Sequence, residues 1–171
     1  MADIAEDRPR VIALIDLSDL QWQVGRMGGV FGDDPAPVVR RLEAGLPGVQ
    51  TAGSKVPPSL GVVYVYSRAS GGPPKCWSCP GPCTGCQAGS KERGGRGHNN
   101  PIAQDLMVLA REDAYDWAVV VSADTWLGPV VRFIQSHGRK IIHGCFPPLA
   151  AELTKECWAS IDLRPLASKP G

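Results

Sequence analysis

Residues 116–131 read DWAVVVSADTWLGPVV, and the interpretation of this stretch decides the fold. Val119, Val120 and Val121 form a short β-branched run that breaks at Ser122-Ala123-Asp124. A run this short and this apolar, closed by a turn, predicts a fully buried parallel strand rather than a helix. Beyond it the spacing becomes helical, with Leu127, Val130, Val131 and Ile134 on one face of a helix expected over 126–136. A strand that ends in an acid and runs straight into a helix leaves that carboxylate at the strand's carboxyl end. In open α/β sheets, ligands bind there. Asp124 is therefore the first candidate site residue; the competing assignment is that Asp124 or Thr125 only caps the helix.

The same arrangement recurs at the start of the chain. Residues 10–16, RVIALID, form an apolar strand that also ends in an acid, Asp16. Ser18 or Asp19 is expected to cap the helix that follows, which carries Leu20, Val24 and Met27 and is weakened at Gly28-Gly29. A second helix is expected over 35–46, with proline in its first turn and Gly48 just past its end. Residues 50–58 read as a loop and 61–66 as the second strand. After a long irregular stretch, Asn99 or Asn100 caps a helix that begins at Pro101, with Ile102, Leu106, Leu109 and Ala110 as its apolar stripe. Gly138 stops the 126–136 helix. A fourth strand at 139–143, a helix at 148–158 and a short edge strand at 161–163 complete the pattern. Alternating strands and helices predict an α/β, Rossmann-like three-layer sandwich around a mainly parallel sheet.

The bulk numbers restrict what such a domain does. A chain of 171 residues, 43% hydrophobic, supports one core: a disordered leader at 1–9, one domain at 10–165 carrying an insertion at 67–97, and a tail at 166–171. A net charge of +1 gives no global basic field, so a nucleic-acid footprint has to be local. The acidic, polar first residues resemble neither a signal nor a transit peptide, and no apolar run is long enough to span a bilayer. A soluble, cytoplasmic protein with no membrane partner is the expectation; whether it is a monomer or a homodimer stays open.

Inside the insertion, Cys76, Cys79, Cys83 and Cys86 make two CxxC turns separated by three residues. Four thiolates suit a closed tetrahedral zinc site, and in a reducing compartment metal ligation is favoured over disulfides. An iron–sulfur cluster or a redox-sensing thiol module is the alternative. The insertion has little to bury, so a structural Zn²⁺ would supply the free energy its composition lacks. Over 68–98 five basic residues oppose one acid, a local charge of +4. Lys91, Arg93 and Arg96 can follow a phosphate backbone, and Trp77 can stack on an unpaired base. A solvated loop with Trp77 packed on the domain is the plain alternative. Cys145 and Cys157, in a strand and a helix, read as buried thiols.

Asp16 and Asp124 leave the carboxyl ends of two parallel strands. If those strands are neighbours, the two carboxylates converge and offer hard oxygen ligands for Mg²⁺ or Mn²⁺. Asp19, one turn into the first helix, points toward the same edge.

Three segments then resemble one family in register. VIALIDLSDL (11–20) resembles the opening of NYN domains, of the PIN-like ribonuclease superfamily, which read as a strand followed by I-D-x-x-N-L. GRGHNNPIAQDLMVLA (95–110) resembles their K-G-x-D motif, followed six residues later by a second Asp. WAVVVSADTWLGPVVRFIQSHGRKII (117–142) is similar to their L-V-S-G-D-S-D-F-x-P-L-V segment, and its S-A-D-T-W resembles the S-N-D-T-Y of the regnase-type branch. The resemblance covers about 10–163. It implies a metal-dependent endoribonuclease with Asp16, Asp19, Asn99, Asp105 and Asp124 as its catalytic shell. This chain departs from the pattern at Asp19 (family Asn), Arg96 (Lys), Asn99 (Asp) and Trp126 (Asp). Asp19 keeps an oxygen ligand and adds charge, whereas Asn99 and Trp126 support a second expectation, a catalytically degenerate RNA-binding or adaptor protein.

Overall fold

Strands that are apolar along their whole length need cover on both faces, and the chain supplies it. The structure, a computed structural model, describes residues 8–49, 57–67 and 100–167. In chain order, β1 (Arg10–Asp16) leads into α1 (Leu17–Arg26) and α2 (Ala36–Gly45). They are followed by β2 (Ser59–Tyr66), α3 (Pro101–Arg111), β3 (Trp117–Val121), α4 (Gly128–Ser136), β4 (Lys140–Cys145), α5 (Ala151–Glu156) and β5 (Ala159–Asp162). The five strands form one all-parallel sheet in the order β2-β1-β3-β4-β5. Along β1, Val11, Ala13 and Ile15 pack with Leu20 and Val24 of α1 and Val38 and Leu42 of α2. Ile12 and Leu14 point the other way, into Ile102 and Leu106 of α3 and Val131 and Ile134 of α4. This is the period of two expected of a strand, and it gives an α/β fold with a helical layer on each face. Among the described residues, no helix is long and apolar enough to cross a membrane.

Several boundaries differ from the sequence expectation. The first helix is capped by Asp16, not by Ser18 or Asp19. Strand passes to helix with no linker, and Asp16, still extended at φ −81° and ψ 98°, accepts from the Asp19 backbone N–H. The second helix ends at Gly45 and tightens into a 3₁₀ turn, Leu46–Val49, that runs through Gly48 rather than stopping at it. The helix expected from Trp126 likewise opens as a 3₁₀ turn, Thr125–Leu127. The last helix shrinks to six residues because Ala150 takes a left-handed φ of 55° and holds the preceding segment in a turn. Asn100 caps α3 and Gly138, at φ +83°, ends α4, as expected. Cys145 is buried, while Cys157 is only partly so, and burial pushes its thiol up to about 12.

One core position breaks the hydrophobic pattern. Gln23 of α1 is fully buried, and among the described residues neither its amide nitrogen nor its oxygen has a hydrogen-bond partner. An unpaired buried amide costs about 1–3 kcal/mol. Replacing it with methionine, of similar length, is expected to raise unfolding stability by about 1 kcal/mol. Urea unfolding of Gln23→Met beside the parent checks this; an unchanged or lower midpoint contradicts it.

Candidate active site at the carboxyl edge of the sheet

From β1 the chain passes to β2 on one side, then crosses over to β3 on the other. The direction of winding therefore reverses between β1 and β3, and in such sheets the crevice opens at that point, beyond the carboxyl ends. Ile15 pairs with Val121 in register, so Asp16 and the Ser122-Ala123-Asp124 turn emerge side by side on one rim. The neighbouring strands required for the two acids to approach each other are present.

The acids are tied together by hydrogen bonds. Asp16 is buried, and its Oδ1 accepts from the Asp19 N–H at 3.0 Å. Asp19 Oδ2 accepts from the Ser122 hydroxyl at 2.8 Å and from the Ala123 N–H at 3.2 Å. Ser122 Oγ in turn accepts from the Asp124 N–H at 3.2 Å. Asp19 thereby clamps the first turn of α1 to the turn that follows β3. Asp124 Oδ1 caps the Thr125–Leu127 turn by accepting from the Trp126 N–H at 2.9 Å, and its Oδ2 accepts from Asn100 Nδ2 at 2.7 Å. The capping role set against a site role for Asp124 is real, and Asp16 caps α1 in the same way.

Asn100 was legible in the sequence only as a possible cap. Its Oδ1 accepts from the Ile102 N–H at 2.9 Å, and this leaves the Nδ2 hydrogens to face Asp124. The cap fixes which way the amide points. Asp105 is held differently: the Tyr66 hydroxyl donates to its Oδ2 at 2.6 Å. Tyr66 ends β2 directly opposite Asp16 in register. Burial raises the Asp105 carboxyl above the usual carboxylate range, and the phenol's hydrogen bond works against that; burial and Asp105 together push Tyr66 up.

Beneath the rim lies a residue that sequence reasoning passed over. His143 of β4 is fully buried, with Nε2 2.9 Å from the Ser122 carbonyl and Nδ1 2.8 Å from Thr154 Oγ1. A carbonyl only accepts, so Nε2 carries the proton. In the neutral ring Nδ1 is then an acceptor, and it shares the single hydrogen of the Thr154 hydroxyl with the Ala150 carbonyl, 3.2 Å from the same oxygen. Burial lowers the His143 pKa from its ordinary 6.5, outweighing the opposite pull of the Ser122 carbonyl. The signal in the sequence was a lone histidine inside the apolar run KIIHGC.

The remaining sequence candidates, Asn99, Lys91, Arg93, Arg96 and Trp77 together with Cys76, Cys79, Cys83 and Cys86, lie outside the described residues. Among the described residues no group of three or more acidic, histidine or cysteine side chains is placed to hold a metal ion. What the rim does offer is hard oxygen from Asp16 and Asp124, in the donor class that Mg²⁺ and Mn²⁺ take. Mg²⁺ characteristically uses only one or two protein carboxylates and completes its shell with water and phosphate. In donor type and number the pair fits such an ion; it does not form a closed all-protein cage.

No family model matches the chain. A curated protein, 2-epi-5-epi-valiolone 7-kinase of Actinoplanes sp., is 32% identical over 141 residues, which is 80% of this chain and 37% of that protein. The chain thus spans little more than a third of the length of the relative it matches. A solved structure of a protein of unknown function from Vibrio parahaemolyticus covers 92% of this chain and 94% of its own, at 14% identity and a TM-score of 0.42.

Proposed function

We propose that the chain is a divalent-metal-dependent ribonuclease of the NYN type, within the PIN-like superfamily, that cleaves RNA phosphodiester bonds at the carboxyl edge of the sheet. The observation that supports this most directly is the delivery of Asp16 and Asp124 to one rim by adjacent parallel strands, at the point where the winding reverses. Asp16 and Asp124 would hold the ion. When bound, it supplies charge for a phosphoryl oxygen and a lowered pKa for water. Asn100 fixes the Asp124 carboxylate from one side, and the Trp126 N–H fixes it from the other. Asp19, engaged by Ser122 and Ala123, sets the spacing between the two strand ends.

One observation favours a second reading. Asp16, Asp19 and Asp124 all already accept hydrogen bonds from the fold itself, so the rim is also a complete capping network. On that reading the chain binds RNA, or acts as an adaptor, without turnover. Incubating purified protein with end-labelled RNA in Mn²⁺, in Mg²⁺ and in EDTA separates the two. Cleavage that requires the metal supports the nuclease. Retention of RNA with no product in any buffer supports the adaptor.

A further inference from the structure

We propose that Trp126 is a stacking platform for an unpaired base, so that the site takes single-stranded rather than duplex RNA. The inference rests on the reading of the rim as an RNA site and narrows its substrate. Trp126 follows the acid pair directly: its backbone N–H is the donor to Asp124 Oδ1, and the residue is 70% exposed. That exposure comes from a fixed backbone. The Leu127 N–H bonds back to the Asp124 carbonyl at 3.2 Å, and the Leu127 side chain is fully buried. The turn is thus anchored on both sides of the tryptophan while the indole is held outward.

The other described tryptophans each have an aromatic or cationic partner, although Trp22 is itself 55% exposed. Trp117 and Trp158 lie with ring centroids 5.2 Å apart and share the Lys140 ammonium, and Trp22 has the Arg26 guanidinium over its ring. Among the described residues the Trp126 ring has no aromatic or cationic partner. Two residues along a chain separate their α-carbons by at most about 7 Å. A base resting on Trp126 therefore belongs to a nucleotide immediately beside whatever phosphate Asp124 serves. Stacking needs an exposed base face, which a duplex does not present without opening. It tolerates every base, which suits a site with little sequence preference.

The test measures binding in EDTA, so that it does not depend on turnover. Three fluorescein-labelled probes of equal length serve: a single-stranded RNA, the same strand in a duplex, and a fully abasic strand. Trp126→Ala is expected to weaken single-strand binding about tenfold, within the range of one base stacked on an aromatic ring. Trp126→Phe should retain most of the affinity. Neither change should alter duplex or abasic binding. Intrinsic fluorescence provides a second readout: single-stranded RNA should quench the parent protein more than it quenches Trp126→Phe.

Equal loss of all three probes in Trp126→Ala overturns the proposal, as does an unchanged single-strand affinity, or a protein that binds no RNA. Trp126-dependent binding of single strands without cleavage in Mn²⁺ sustains the stacking role and removes the nuclease reading. Metal-dependent cleavage of single strands and duplex alike, indifferent to Trp126, does the reverse.

Discussion

Asp16→Asn is expected to leave the protein folded while cutting metal-dependent RNA cleavage by about 10²–10³-fold, the usual loss when one charged contact to a transition state is removed. Asparagine caps a helix as well as aspartate does, and its Oδ1 can still accept from the Asp19 N–H, which lies 3.0 Å from the carboxylate in the parent. The cap is kept; the negative charge disappears, and the second carboxylate oxygen becomes an N–H donor. Asp16→Ala, by contrast, also loses the cap and about 1 kcal/mol of stability. Asp124→Asn is a less clean substitution. A second amide at that position turns an N–H either toward Trp126 or toward the Nδ2 of Asn100, and Asn100 cannot flip because its Oδ1 caps Ile102. Its loss of cleavage should therefore come with a lower melting temperature, whereas that of Asp16→Asn should not. Cleavage rates in Mn²⁺ beside thermal melts of the three variants decide this. If Asp16→Asn keeps parental cleavage, the carboxylate is a cap and nothing more.

The second large effect is predicted beneath the rim. His143→Leu removes the donor to the Ser122 carbonyl and leaves that carbonyl buried and unpaired, at a cost on the order of 2–3 kcal/mol. Ser122 positions both Asp19 and the Asp124 backbone, so cleavage should fall as well, by about 10–100-fold, the scale seen when a group supporting a ligand is lost. His143→Gln keeps a donor and an acceptor, and should recover part of both.

The pH dependence distinguishes the imidazole from a mere space-filler. The folded pKa lies below the unfolded 6.5. Between those values the unfolded chain binds a proton that the native state refuses, and unfolding free energy falls as pH drops. Above 6.5 the contribution is complete. Asp113, Asp116 and Asp162, lowered chiefly by hydrogen bonds from arginines, lose their contributions only as pH falls through the carboxylate range. Asp105, raised by burial, runs in the opposite sense, also starting from the carboxylate range. Subtracting the stability profile of His143→Gln from that of the parent should leave a limb that declines below pH 6.5. A flat difference would show that the imidazole does not titrate between the two states.

Much of the architecture was legible from local pattern. β1 and β3 announced themselves as unbroken apolar runs, and Pro101 preceded by asparagine marked the start of α3. The misplaced boundaries share one cause. Whether a helix opens at Asp16 or Ser18, or passes into a 3₁₀ turn at Leu46, depends on which backbone N–H finds an acceptor, and periodicity does not carry that information. α5 was overextended because the left-handed backbone at Ala150 belongs to a residue whose type does not advertise it.

The candidate site divides in the same way. Sequence alone determined that two strands end in acids, because a run of hydrophobic side chains closed by a carboxylate is written in consecutive residues. Only the tertiary structure decided that those strands are neighbours, that Asn100 reaches Asp124 across 24 positions, and that His143 supports Ser122 from below. A hydrogen bond between residues distant in sequence depends on sheet order and register, and these are set when the whole core packs, not by any one segment.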